Sequence, residues 1–333
     1  MITTSRTLLF QPILYTLGTL LLFQFLATPC KGAISEPTEG PGRGIASRDS
    51  RGDIVVAVID TGVDTRHPAL KNHLWINPGE IPNNGIDDDG NGFVDDVYGW
   101  DFVEQKPLQR DPHGHGTHIA GIIAGAKSAR IMALRAFDEN KTGEEVLQAS
   151  VRAIHYAIRM KAKIINYSGG GSVPSPEEKR ALQLATDSGI LVIAAAGNGR
   201  HDSDERGFYP ASYNLPNLLS IAAVDGQGRL LSSSNFGNKT VHLAAVGEEI
   251  LSCLPDNQFG SMSGTSQATA EVTKVAVNIL RQTKFFHHQK RSPASTIIHI
   301  LLKSADAVPE LKGKLRTPAV VNPVRAANWS GED

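Results

Sequence analysis

The sequence predicts an α/β fold, a doubly wound and mostly parallel sheet flanked by helices within a single domain. Three observations carry that expectation. Short continuous apolar runs recur at 54–59, 130–136, 164–167, 190–195, 218–223 and 241–245, as expected of strands buried on both faces of a parallel sheet. Stretches with helical spacing lie between several of them. Glycine-bearing segments lie at three of the places where such sheets carry their sites, the carboxyl ends of strands and the starts of helices.

The chain has 333 residues, and its 41% hydrophobic content is enough to bury a full core. A formal net charge of -1 supplies no global field for nucleic acid or an anionic membrane, so neither is expected as a partner. At the N-terminus, Arg6 precedes an uncharged, Leu- and Phe-rich run over 7–30 and then Lys31, Gly32 and Ala33. Residues 1–32 read as an export signal, with a retained anchor as the alternative because the run is long enough to span a bilayer. The expected location is therefore secreted or in the cell envelope, without stable membrane association once the signal is removed. Cleavage near Gly32 leaves Cys253 as the only thiol, so the mature chain has no internal disulfide.

Residues 33–52 are Gly, Pro, Ser and charges without periodicity, a flexible leader. The domain runs over 53–328, with an acidic insertion at 77–111 and a short tail at 329–333. The first strand ends at Asp60. Gly114-His115-Gly116-Thr117-His118 opens a helix whose apolar face is Ile119, Ile122 and Ile123. Val146, Ser150, Ala153, Ile154 and Ala157 mark a second helix. Ser175-Pro176-Glu177-Glu178 starts a third, with a capping hydroxyl, proline in the first turn and acids at the positive end of the dipole. Ser266 precedes a fourth, in which Val272, Val275, Ala276, Ile279 and Leu280 share a face.

Asp60, His115 and Ser266 together supply a carboxylate, an imidazole and a hydroxyl. A hydroxyl is a poor nucleophile at neutral pH, so it needs an imidazole to take its proton and a carboxylate to orient that imidazole. The chain order Asp, His, Ser and the surrounding residues closely resemble the subtilisin-like serine peptidases (subtilases): Asp60-Thr61-Gly62-Val63-Asp64 with His67-Pro68, then Gly114–His118, then Ser263-Gly264-Thr265-Ser266-Gln267-Ala268. The similarity extends over most of 53–327, including Ser234-Asn235-Phe236-Gly237 and 321–327.

The resemblance implies a serine endopeptidase acting on polypeptide substrates through an acyl-enzyme, as a monomer, with Asp60, His115 and Ser266 as the triad. It makes Asn198, in Ala194-Ala195-Ala196-Gly197-Asn198, the side-chain donor to the oxyanion, beside the backbone N–H of Ser266. It makes Ser168, Gly169, Gly170 and Gly171 a substrate-pairing edge, with Ala195, Ala196 and Gly197 on the other side of the pocket. Gly169 implies an open groove wall. Gly170, Gly171 and Ala195 imply a roomy apolar pocket for the residue before the scissile bond.

Between Glu80 and Asp111 lie nine acidic residues and two basic ones. Asp87, Asp89, Asn91, Gly92 and Asp95 fall at positions 1, 3, 5, 6 and 9 of a calcium loop, and Phe93 offers a carbonyl. Position 12 is Tyr98, so Asp96 or Asp101 has to close the shell. The expected cofactor is a structural Ca2+. Departures from the family pattern cluster after the nucleophile, at Gln267, Ala270, Glu271 and Lys274, and Val246 replaces a proline. Lys274 places a long charge where tight helix packing is expected. The rival readings are a form that binds peptides without cleaving them and a calcium-dependent adhesion module.

Overall fold

The computed structural model describes residues 52–282 and 292–330. The export signal, nearly all of the leader and the last three residues of the expected tail lie outside them. Packing extends slightly further than the sequence boundary: Trp329, expected in the tail, is buried against His299 and the core.

The chain alternates strands and helices as the apolar runs require. Strands β1 (Ile54–Asp60), β2 (Gly99–Asp101) and β3 (Lys106–Pro107) precede helix α1 (His115–Ala124). There follow β4 (Ala129–Arg135), α2 (Gly143–Arg159), β5 (Ile164–Tyr167), α3 (Pro176–Asp187), β6 (Leu191–Ala195), β7 (Leu218–Val224) and β8 (Leu243–Val246). The C-terminal third adds β9 (Ile250–Leu254), β10 (Gln258–Met262), α4 (Thr265–Arg281), α5 (Pro293–Lys303), β11 (Asp306–Ala307), β12 (Ala319–Val320) and α6 (Pro323–Ala327).

Ten strands form one sheet in the order β11-β12-β8-β7-β6-β5-β1-β4-β2-β3, parallel except for the pairings of β2 with β3 and of β11 with β12. β1 shows why both faces must be apolar. Val56 and Val58 pack with α1, α4 and α5, whereas the alternating Ala57 and Ile59 pack with α2 and α3. The chain leaves β1 towards β4 on one side and leaves the neighbouring β5 towards β6 on the other. The resulting crevice between the ends of β1 and β5 is where open α/β sheets bind their ligands.

Helix starts follow their caps. The Thr142 side chain accepts from the Glu145 N–H and Glu145 reaches back to the Thr142 N–H, completing a capping box at α2. At α3 the Ser175 hydroxyl accepts from the Glu178 N–H, with proline in the first turn. The short edge strands and the β9–β10 hairpin are not signalled by periodicity. The hairpin turns through Pro255, Asp256 and Asn257, between the paired Leu254 and Gln258, and the last two are left-handed (φ 59° and 57°). The acidic insertion is docked on the sheet edge by β2 and by Phe93, whose ring meets Trp100, Phe102 and Tyr156 edge to face.

Candidate active site

Asp60 closes β1 at the crevice and is buried. Its Oδ1 accepts from the Thr61 N–H at 2.8 Å and lies 2.7 Å from Nδ1 of His115. A carboxylate there selects the tautomer with the proton on Nδ1 and leaves Nε2 as the basic nitrogen. The approach depends on Gly116, because a Cβ at that position would stand 2.0 Å from the Gly62 carbonyl oxygen. Burial pulls the His115 pKa down, but the Asp60 charge, its hydrogen bond and the more distant Asp111 charge outweigh it, and the net shift is upward.

Asp111 is a part that sequence reasoning missed. Its Oδ1 accepts from the Thr61 hydroxyl and the His113 and Gly114 N–H groups, and its Oδ2 from the Thr117 N–H and hydroxyl. Thr61 Oγ1 accepts in turn from the Gly116 N–H at 2.9 Å. One buried carboxylate thus caps α1 and ties it to the residue after Asp60. The available signal was an aspartate just before a Gly-His helix start, an N-terminal capping pattern.

His118 is buried in the same helix, with Nε2 2.9 Å from the Ile250 carbonyl and 3.1 Å from that of Gly260. Burial and the neighbouring His115 push its pKa down to about 4, so it is a neutral donor that staples α1 to the β9–β10 hairpin.

Ser266 is the second residue of α4, where helix N–H groups lack intrahelical acceptors. α1 packs on α4, so the helix starts that carry His115 and Ser266 belong to one packed unit. The Ser266 hydroxyl donates to the Ser168 carbonyl at 3.0 Å and is therefore turned to the loop after β5. Asn198 follows β6. Its Oδ1 accepts from the Thr265 N–H at 3.0 Å and from the Thr265 hydroxyl at 3.1 Å, which fixes the amide and leaves Nδ2 facing Gly264, beside the nucleophile. Asn235 holds the backbone of that loop: Nδ2 donates to the Ala196 carbonyl, Oδ1 accepts from the Gly199 N–H, and its own N–H donates to the Gly197 carbonyl. The roles of Thr265 and Asn235 were not read from the sequence.

The substrate segment is more closed than expected. Gly171 exchanges both backbone bonds with Tyr209, at 2.8 and 2.7 Å, so it is not a free edge. A Cβ on Gly169 would stand 2.3 Å from the Phe137 ring, so that wall is covered rather than open. Gly170 and Gly197 both face the ring of Phe208. Ala195 and Ala196 are buried at the base of the cleft, Ala196 with its side chain in a core cluster. Ser168 is anchored from behind by Asn166, which donates to its hydroxyl and accepts from Thr273 of α4.

The departures after the nucleophile leave the helix packing intact. Lys274 lies on the partly exposed side of α4 and pairs with Glu271, and its stem packs over Gly125, contrary to the expected disruption. Gln267 is fully buried, and neither atom of its amide has a hydrogen-bond partner among the described residues.

In the acidic insertion, carboxylate oxygens of Glu80, Asp87 and Asp89 lie within 4.8 Å of one another. Glu80 was missed because it precedes the loop pattern. It accepts from the N–H groups of Asp88, Asp89 and Asp95, which folds the loop back over it. Burial first, then the Asp96 and Asp89 charges, push its pKa up against the hydrogen bonds that lower it. Asp95 does not join this group: its backbone is left-handed (φ 56°) and its carboxylate accepts from the Asn84 and Gly85 N–H groups. Asp96 is taken up by Asn77, Asn91 and the Tyr156 hydroxyl, and Asp101 by Arg135. The Asn91 carbonyl oxygen of the side chain accepts from the Phe93 N–H. Neither Asp96 nor Asp101 closes the shell as expected.

A carboxylate-held imidazole at the start of one helix and a serine in the first turn of another, at the carboxyl edge of a parallel sheet, define the class of serine hydrolases built on α/β folds. The family comparison refines this: residues 51–319 match the subtilase family, peptidase family S8, and the chain belongs to it. It is 36% identical over 235 residues to the major intracellular serine protease of Bacillus subtilis (strain 168), covering 66% of each chain. It is 34% identical over 232 residues to thermitase of Thermoactinomyces vulgaris, covering 66% of this chain and 72% of that one. A thermophilic serine proteinase of Bacillus sp. (strain AK1), 35% identical over 68% of this chain, is matched over 52% of its own length. Among solved structures, a lanthipeptide protease superposes with a TM-score of 0.68 at 24% identity, over 83% of this chain and 87% of that one. The self-cleaved protease domain of PatA does so with a TM-score of 0.61 at 27% identity, over 83% and 97%.

Proposed function

We propose that this chain is a serine endopeptidase that hydrolyses peptide bonds through an acyl-enzyme. The observation that carries the reading is the 2.7 Å bond from His115 to buried Asp60, on a helix packed against the one that presents Ser266. Rotation of the Ser266 hydroxyl away from the Ser168 carbonyl frees it for Nε2 of His115. His115 takes the hydroxyl proton as Oγ bonds the carbonyl carbon, then passes that proton to the leaving amine as the C–N bond breaks. Water repeats the sequence on the ester, returning its proton to Oγ through His115. The Asn198 Nδ2 amino group and the Ser266 N–H stabilise the oxyanion in both halves. Labelling of Ser266 by a fluorophosphonate, located by peptide mapping, tests the reading: no adduct on the folded chain, or an adduct at another serine, sinks it.

A structural Ca2+ fits the insertion. Glu80, Asp87 and Asp89 present hard oxygen donors, the kind calcium takes, and like charges this close repel when no cation neutralises them. The ion would lock the insertion against the edge of the sheet and would have no part in the chemistry. Removing it with a chelator is expected to lower Tm by on the order of 5–10 °C, since an ion that binds only the folded state stabilises by mass action. Asp89→Ala should melt at the chelated value whether or not calcium is added. Equal melting of the wild type with calcium and with chelator refutes the site.

The N-terminal run, with Arg6 before it and small residues after it, supports export, and the mature form acts outside the cytoplasm. None of the helices among the described residues is long and apolar enough to cross a membrane.

A further inference from the structure

We infer that Phe208 closes the pocket for the residue before the scissile bond, so that this site selects small side chains there: glycine, alanine and serine. The inference rests on the peptidase reading above and deepens it, replacing the roomy pocket that the glycines alone imply.

The pocket that the subtilase resemblance implies lies between residues 168–171, after β5, and 195–197, at the end of β6. A single ring spans it. The Cε1 and Cζ atoms of Phe208 stand 2.8 and 3.0 Å from where a Cβ on Gly170 would be, and its Cδ1 and Cγ atoms stand 2.9 and 3.0 Å from where one on Gly197 would be. The far edge of the ring thus meets one wall and the near edge meets the other. Both walls are glycine at the contact, with positive φ of 156° and 100°. A Cβ on Gly170 would also stand 2.2 Å from the Tyr209 carbonyl oxygen and one on Gly197 2.5 Å from Asn235 Nδ2, so the ring closes the space beside both glycines together with these two groups.

The ring stands on a rigid support. The Phe208 N–H donates to the Ser212 hydroxyl at 3.1 Å and its carbonyl accepts from the Ser212 N–H at 2.9 Å. The next residue, Tyr209, is paired in both directions with Gly171 and has its ring 4.8 Å from that of Tyr213. The Tyr213 hydroxyl donates to buried Glu178 at 2.8 Å. Moving Phe208 aside would therefore strain the substrate segment itself. The three residues that frame the pocket, Gly170, Gly197 and Phe208, carry no charge, so size decides what enters. A side chain as large as leucine or phenylalanine has to displace the ring, and overfilling a packed apolar site is unfavourable.

The test uses the purified chain and octapeptides that differ only at the residue before the bond: alanine, serine, leucine or phenylalanine. The wild type is expected to cleave the alanine peptide with kcat/KM about a hundredfold above that for the phenylalanine peptide, the range that a few methylenes of misfit produce. Phe208→Ala should raise kcat/KM for the phenylalanine peptide about a hundredfold while changing that for alanine only a few-fold. Phe208→Leu should fall between, and guards against a fold lost in the larger truncation. Equal cleavage of the two peptides by the wild type, or an unchanged ratio in both variants, overturns the inference.

Binding separates this outcome from failure of the peptidase reading. In Ser266→Ala, calorimetry with the same peptides should show tighter binding of the alanine peptide, with the order reversed when Phe208→Ala is added. That order without any turnover by the wild type would refute the peptidase reading alone. Binding indifferent to side-chain size would refute the pocket inference alone.

Discussion

Ser266→Ala is expected to lower kcat for peptide hydrolysis by on the order of 10⁶, the loss seen when the nucleophile is removed from a triad that acts as a unit. The substitution removes one oxygen from the first turn of α4. Among the described residues that oxygen makes a single bond, to the Ser168 carbonyl, which peptide or solvent can satisfy instead. The variant should therefore keep the wild-type Tm within a degree or two and still bind peptides. His115→Ala should cost about as much in kcat, and the double variant little more, because neither residue works without the other. Turnover near the wild-type rate in Ser266→Ala would show that the hydroxyl at the α4 start is not the nucleophile. Additive losses in the double variant would show that Ser266 and His115 act independently.

Asn198→Ala should lower kcat by on the order of 10²–10³ with KM nearly unchanged, as when one donor is lost from an oxyanion site. The split between the two constants is the informative part. An amide whose oxygen is already held by Thr265 can use its Nδ2 only for charge that develops on the substrate, and that charge is largest in the transition state. Thr265→Val offers a contrast. It removes the hydroxyl but not the backbone N–H that grips Asn198, so a smaller loss in kcat is expected, again without a change in KM. If Asn198→Ala raised KM as much as it lowered kcat, the side chain would be positioning ground-state substrate instead.

Much of the central architecture was legible because its physics is local. Strand β5 coincides with the apolar run at 164–167, and the other five long runs each fall within about two residues of a central strand, since a strand buried on both faces has no polar positions to break the run. The helix start at Ser175 was legible from its capping hydroxyl three residues before Glu178. Strands β2, β3, β11 and β12 have two or three residues each, too few for any pattern, and exist because a neighbouring strand offers them partners.

The site divides along the same line. Asp60, His115, Ser266 and Asn198 were singled out by their resemblance to the subtilase motifs, and the structure places each at the end of an element among glycines that close approaches demand, as at Gly116 against the Gly62 carbonyl. Asp111 and Asn235 were not, since their function is to bridge segments that are remote in sequence: Thr61 lies 50 residues before Asp111, and Ala196 lies 39 before Asn235. The acidic cluster was half legible. Spacing picked out Asp87 and Asp89, but the left-handed turn at Asp95 aims that carboxylate elsewhere, and Glu80 enters from outside the pattern.

By itself, then, the sequence determined the doubly wound sheet, the element ends at which Asp60, His115 and Ser266 stand and the acidic character of the insertion. These follow from periodicity, capping and backbone freedom, which act over a few neighbouring residues. Only the tertiary structure decided which carboxylate steadies α1, which acid joins Asp87 and Asp89, and how large a side chain the cleft admits. Gly170, Gly171 and Ala195 promise space when read along the chain, whereas in the fold the Phe208 ring lies against Gly170 and Gly197, because the volume of a pocket depends on every segment that folds onto it and not on the residues that line one wall.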